Sequence, residues 1–191
     1  MCVWCAVLML MGVVPLAQAE RYLSVTEAQK VCFPVADRFE NRAVDLTAVQ
    51  MKSIESRAKS KFLHKTVPVW FARSGTNVLG VMIVDQVFGK HELIDYAVAI
   101  GPDGKVRQVE ILEYREKYGG EIRKNEWREQ FRGKGSGATL KLHDDVYNIS
   151  GATISCRHVT EGLKRLLFFF EEFIRPVLGS KHRLPEPAAD P

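Results

Sequence analysis

The 191 residues are 46% hydrophobic and 26% charged, and 27 Lys+Arg stand against 23 Asp+Glu for a formal net charge of +4; this is the composition of one sizeable globular domain, with too little chain for two. The basic residues are spread along the chain without the dense run that tracks a nucleic-acid backbone, which excludes nucleic acid as a partner class. The histidines (His64, His91, His143, His158, His182) lack ligand spacing around a cysteine pair, so no metal site is expected.

Residues 1–19 contain no Lys, Arg, Asp or Glu, and their apolar run (Val7, Leu8, Leu10, Val13, Val14, Leu16) closes in Ala17-Gln18-Ala19, the small-x-small pattern of a signal-peptidase site. Export to the periplasm is the expectation. The segment lacks a positive leading region and is just long enough to span a bilayer, so an uncleaved membrane anchor stays open. Cys2 and Cys5 fall inside this leader. Cys32 and Cys156 remain in the mature chain, as a disulfide or as two buried thiols.

Residues 20–64 read as a helical N-terminal extension. Ser24 is an N-cap with Glu27 three residues on, a capping box for a helix through Val31 that Phe33-Pro34 ends. A second capped helix starts at Asp45, with Leu46, Val49, Ile54 and Ala58 on or near its buried face. The pattern then changes to β-branched and aromatic runs. Val67–Arg73 and Val78–Asp85 make a hairpin through Ser74–Asn77, and Pro68 puts its strand at an edge or marks its start. Leu93–Ile100 and Val106–Leu112 follow, joined by the tight turn Gly101-Pro102-Asp103-Gly104. The fold class is α+β: an antiparallel sheet of about four or more strands flanked by helices.

After the sheet, Glu113–Glu121 is a loop rich in carboxylates and aromatics. Acid and base roles for its carboxylates are conceivable, although charges after a strand are ordinarily solvated loop. Its pair Gly119-Gly120 lets backbone come close to a flat ligand. Asn125–Phe131 is a short helix with Trp127 and Phe131 on one face.

The tetrapeptide Ser-Gly-Ala-Thr occurs twice, at 136–139 and at 150–153. The first copy sits in a glycine-rich loop with no helix after it. The second runs into a helix whose buried face is Ile154, Val159, Leu163, Leu166 and Leu167. Thr153 is therefore near a helix N-terminus, where unpaired N–H groups and the helix dipole stabilise a phosphate oxygen. The alternative is an ordinary cap by Ser150 or Thr153. Phe168–Ile174 make the helix end apolar on more than one face, a buried end or a docking patch, and Pro176 stops it. Residues 176–191 form a mobile tail.

Val87–Glu92, Gly101–Val106, Val109–Glu116, Gly119–Glu121, Gln130–Lys134 and Ile149–Ser155 together make Val67–Leu167 resemble an FMN-binding domain. That domain is found in the G subunit of the Rnf electron-transport complex and in the C subunit of the sodium-translocating NADH:quinone reductase, and small exported proteins that consist of it are more similar still. The resemblance implies an FMN-binding domain over residues 65–175, an electron carrier or redox subunit rather than a stand-alone enzyme, and redox partner proteins that are membrane-associated. It further implies FMN joined to Thr153 through a phosphoester by an FAD-dependent flavin transferase that uses magnesium. Ser150, Gly151, Ala152, Ser155, Glu116, Gly119 and Gly120 would then lie at the cofactor. Lys117 and Tyr118 stand where the family has Thr-Pro. Tyr147 stands where the family has an acidic residue, and Asp145 is the candidate to supply that acid for transferase recognition. A non-covalent flavin-binding or sensory module and a flavin-free interaction domain are the other classes the sequence allows.

Overall fold

The computed structural model describes residues 20–179, so the apolar leader and the tail beyond Gly179 lie outside the described residues. Among those described, no helix is long and apolar enough to cross a membrane. Six strands form one antiparallel sheet in the order β1-β6-β5-β4-β3-β2. They are β1 (Glu20–Arg21), β2 (Arg38–Asp45), β3 (Thr66–Ser74), β4 (Asn77–Phe88), β5 (Leu93–Ile100) and β6 (Val106–Tyr114). The α-helices among the described residues are α1 (Val25–Cys32), α2 (Ala48–Ala58), α3 (Asn125–Glu129), α4 (Thr153–Phe169) and α5 (Arg175–Gly179). The α+β expectation holds.

The N-terminal extension contributes strands as well as helices. The capping box at Ser24 is present, its hydroxyl accepting from Glu27 N while Glu27 bonds back to Ser24 N at 2.7 Å. The second helix is capped by Thr47 with Gln50, two residues after the expected Asp45; Asp45 instead ends β2 opposite Thr66. The sequence reading assigned no strand to Arg38–Asp45. Its side chains alternate between exposed and half-buried, and four charged residues dilute the hydrophobic signal. Such charges suit the sheet's outer edge, where they discourage pairing with another chain. Because β2 takes the edge, Pro68 is interior to the sheet, but it sits third in β3, and pairing with β4 begins only at Val69. Val49, expected on a buried face, is 80% exposed.

Two cores lie on opposite faces of the sheet. One packs α1 through Ala28, Cys32 and Phe33 against Ala72, Met82, Ala97, Ala99 and Leu112. The larger packs α2, α3 and α4 against Val69, Phe71, Ile83, Ile94, Tyr96, Val98 and Ile111. Trp127 and Phe131 belong to it, edge to face with centroids 5.0 Å apart. Cys32 and Cys156 are free and buried, one in each core, which removes the disulfide alternative. The aromatic helix end is mainly buried, with Phe169 and Phe170 fully enclosed and Phe168 and Phe173 packed against the same core. Pro176 does not stop the helix. Residues 170–174 wind as a π turn and the helix resumes through Gly179; the widened turn makes room for a ring that has no N–H to offer.

Helix α4 is fastened by a buried charge. Arg165 is 0% exposed and pairs with Asp85 on β4. Its guanidinium also donates to Ser60 Oγ at 2.6 Å and to the Lys61 carbonyl, and it lies over the Phe62 ring at 4.7 Å. Asp85 accepts a second bond, 2.6 Å, from the Tyr96 hydroxyl. Burial disfavours the charge on Arg165, but Asp85 more than compensates and holds the guanidinium above its ordinary range. Removing one member leaves an uncompensated charge in the core. Arg165→Ala is expected to cost about 3–5 kcal/mol in urea unfolding, whereas a surface change such as Lys52→Ala should move stability by about 0.5 kcal/mol or less. Equal midpoints for Arg165→Ala and the parent would show that the pair does not fasten the helix.

Candidate functional site

The second Ser-Gly-Ala-Thr copy opens α4. Gly151 has φ +84°, a left-handed conformation that favours glycine, and it swings the chain so that Thr153 becomes the first helical residue. Ala152 is the N-cap, and no side chain caps the helix. Neither Ser150 nor Thr153 plays the capping role that sequence alone allowed. The first intrahelical bond is Cys156 N to Ala152 O at 2.9 Å, so the amides of residues 153–155 face outward without an acceptor in their own helix. Thr153 is half-buried, and its Oγ1 accepts from Asn148 Nδ2 at 2.8 Å. Asn148 Oδ1 is buried with no hydrogen-bond partner.

A β-bulge brings the end of β6 to this turn. Tyr96 pairs with Ile111 but Asp95 with Glu113, leaving Leu112 as an extra residue. The extra residue returns Tyr114 to the Ile111 face, three positions on, where strict alternation would have pointed it away. Its hydroxyl donates to Tyr118 O at 2.6 Å and meets Ser155 Oγ at 2.9 Å. Ser155 is thus buried and turned into the protein. Gly119 has φ +91°, and a Cβ there would meet the Tyr114 hydroxyl at 2.6 Å and Ala152 Cβ at 3.3 Å. The close approach at Gly119 is to the protein's own helix mouth, so the 117–120 loop is docked on the Thr153 turn. Gly120 begins a short 3-10 turn beside it, where a Cβ would meet the Tyr22 hydroxyl at 3.4 Å.

Two grooves flank the turn. One, about 440 Å³, is bounded by Tyr118, Gly119, Gly120, Arg123, Ser150 and Gly151. The other, about 670 Å³, runs past Asp145, Tyr147, Asn148, Ser150 and Thr153. Tyr118 is 74% exposed at the rim, with the Lys117 ammonium 5.5 Å from its ring centre. Ile154, expected in the core, is 37% exposed, because the buried stripe passes through Ala152, Cys156 and Val159 instead. The amides at an uncapped helix start and the open grooves on either side fit a phosphate ester on Thr153 Oγ1.

The remaining predicted residues are held by other contacts. Asp145 pairs with Lys134 at 3.0 Å and accepts from Lys141 N at 2.9 Å. Burial raises its pKa, but these bonds prevail and keep the carboxyl below its usual range. Tyr147 is half-exposed, and its amide, carbonyl and hydroxyl bond respectively to Gln130, Trp127 and Glu126 on and beside α3. Glu116 turns its carboxylate onto the backbone amides of His91 and Glu92. The first copy of the tetrapeptide is a loop, with Ser136 Oγ donating to Glu171 at 3.2 Å. Sequence reasoning missed Asn148 and Tyr114. Asn148 lies five residues before Thr153, close enough in sequence to have been weighed, but Tyr114 reaches the site only through the bulge.

Comparison with known proteins bears out the resemblance. Residues 89–167 match the FMN-binding domain. The G subunit of the proton-translocating ferredoxin:NAD(+) oxidoreductase complex of Clostridium ljungdahlii is 29% identical over 103 residues, 50% of this chain and 56% of its own length. The chain therefore matches little more than half of that relative. The crystal structure of Shewanella oneidensis NqrC aligns with a TM-score of 0.55 at 17% identity, covering 79% of this chain and 88% of that one; at that identity the likeness concerns the fold.

Two substitutions test how the site is built. Gly119→Ala should lose about 1–3 kcal/mol in urea unfolding, from the left-handed backbone and the contact with Tyr114. Glu116 is raised by burial and lowered more by the amides of residues 90–92, so its folded pKa is depressed. Its contribution to stability is accordingly present above the unfolded value of about 4.3 and is lost as pH falls through the folded value. Glu116→Gln should lower the urea midpoint at neutral pH and match the parent once both are well below that range. A deficit that persists in acid would show that the carboxylate's charge does not hold the 89–92 turn.

Proposed function

We propose that this chain is an exported electron-transfer flavoprotein carrying FMN as a phosphoester on Thr153 Oγ. The observation that carries the reading is the helix mouth itself. Within the segment that matches an FMN-binding domain, α4 starts without a side-chain cap on a threonine whose hydroxyl is held by Asn148. The helix leaves its first amides for phosphate oxygens. Asn148 orients the hydroxyl, and its free oxygen gives a donor on an incoming group a place to bind.

FMN supplies reversible electron storage, and the protein tunes it through burial, hydrogen bonds and nearby charge. Thr153 is then a tether, and no side chain is required as acid, base or nucleophile in the electron transfer. Tyr118, exposed at the rim of one groove with Lys117 beside it, offers a ring face and a positive charge to an isoalloxazine. Attachment calls for a flavin transferase with FAD as donor: Thr153 Oγ gives up its proton and joins the FMN phosphorus as the bond from that phosphorus to the bridging oxygen breaks, and AMP leaves with that oxygen and takes up a proton. The relative from Clostridium ljungdahlii is by name a subunit of a redox complex, which supports redox partner proteins at a membrane. The charge-free apolar leader supports the periplasmic side.

Protein exported from a host with the transferase should gain the mass of an FMN group on the peptide containing Thr153, and the flavin should survive denaturing precipitation. Thr153→Ala should abolish the adduct while costing about 1–3 kcal/mol in stability, because Asn148 Nδ2 loses its acceptor. Thr139→Ala should leave it intact. Flavin released on precipitation from parent and Thr153→Ala alike would show non-covalent binding, and an adduct on Thr139 would move the site to the other copy.

A further inference from the structure

We propose that the groove between the end of α2, the 139–143 loop and α4 docks an acidic, protruding segment of a partner protein. The inference rests on the groove's charge and shape and not on the flavin reading. The groove encloses about 490 Å³ and presents Arg57, Lys59, Lys141, Arg157 and Lys164, with Glu161 as the single carboxylate on its wall. Arg57 is already paired with Glu172 and lies over Phe168 at 4.1 Å. Lys164 donates to the Thr139 carbonyl at 2.8 Å, which leaves its charge uncompensated. Lys59, Lys141 and Arg157 are exposed and have no ion pair among the described residues. Arg157 and Glu161 are one turn apart on α4 and still do not pair, so four cations face one carboxylate.

The frame beneath these charges is ordered. Lys59, Leu140 and His143 are the non-glycine residues with positive φ among those described, at 58°, 47° and 66°, and all three line this groove. Backbone held in this region costs free energy and persists only where its surroundings impose it. Here Leu140 is buried in the core, and Asp145 and Lys164 fasten the loop on either side of it. Lys141 and His143 are thereby fixed on a rigid loop.

Shape and composition decide the kind of partner. The concavity suits a loop or helix end that projects into it. Membrane-surface binding ordinarily adds apolar side chains to basic ones, and none of the large exposed hydrophobics (Val31, Val35, Val49, Phe88, Tyr118, Tyr147, Ile154) lines the groove. Position gives the docking a use. Arg157 is one helical turn after Thr153, and His143 lines both this groove and the one at Thr153. A partner seated here lies beside the helix mouth, and its acidic charge would also speed encounter.

The test uses the full chain and a fluorescently labelled poly-L-glutamate peptide, with binding read by anisotropy. The triple variant Lys59→Glu, Lys141→Glu, Arg157→Glu is compared with Lys30→Glu, Lys52→Glu, Lys90→Glu, which changes net charge equally on exposed lysines elsewhere. Circular dichroism and urea midpoints verify that both remain folded. The groove variant should weaken binding by about tenfold or more and the control by about threefold or less, with added salt weakening the parent. Equal losses in the two variants, or no binding to the parent, would overturn the proposal. Tighter binding of pyrophosphate or of phosphatidylglycerol vesicles than of the peptide, abolished in the groove variant, would overturn it in favour of a phosphate site or a membrane face.

Discussion

The arrangement depends on one buried charge. Arg165 has no water to solvate it, so the sheet beneath must supply Asp85 and the loop beside it must supply the Lys61 carbonyl and Ser60. Hydrophobic packing alone lets a helix slide or rotate on a sheet at modest cost, whereas a charge in the core has few acceptable positions. The pair therefore sets where α4 lies along β4. Thr153 is twelve residues upstream, about 18 Å along the same helix, and its location follows from that setting.

The opposite end of the helix is fixed by hydrogen bonds instead. The extra residue in β6 delivers Tyr114 to Ser155 and to the carbonyl of Tyr118, and Gly119 lets the following loop settle on Ala152. Two segments distant in sequence, 114–119 and 152–155, converge there with little freedom. The outward side of the turn stays open, with Gly151, the first-turn amides and the Thr153 hydroxyl that Asn148 holds. Rigid surroundings with an open, polar centre are the usual arrangement where a group is to be held in a defined orientation.

Much of this was legible in the sequence, for physical reasons that can be named. β3 to β6 announce themselves by β-branched runs, and the capping box at Ser24 by local chemistry that needs no tertiary context. The choice between the two Ser-Gly-Ala-Thr copies followed from helical periodicity, and the helix is where it was expected. The illegible parts are non-local. β2 carries too many charges to look like a strand until β3 is beside it. The partner of Arg165 is 80 residues away in the chain, and nothing in the local pattern distinguishes that arginine from a solvated one. A bulge leaves no trace in the run from Val106 to Tyr114, so the direction of Tyr114 had to be seen. Pro176 misled because the rule against proline assumes α-helical spacing, which the preceding π turn relaxes.

The two cysteines lie in cores separated by the sheet, and burial pushes the Cys32 thiol up to about 12 and raises Cys156 as well. Neither is available as a thiolate near neutral pH, and the native fold gives neither a partner. Folding therefore forms no covalent cross-link within the described chain and consumes no oxidant. The fold of the described residues can therefore form in a reducing or an oxidising compartment alike.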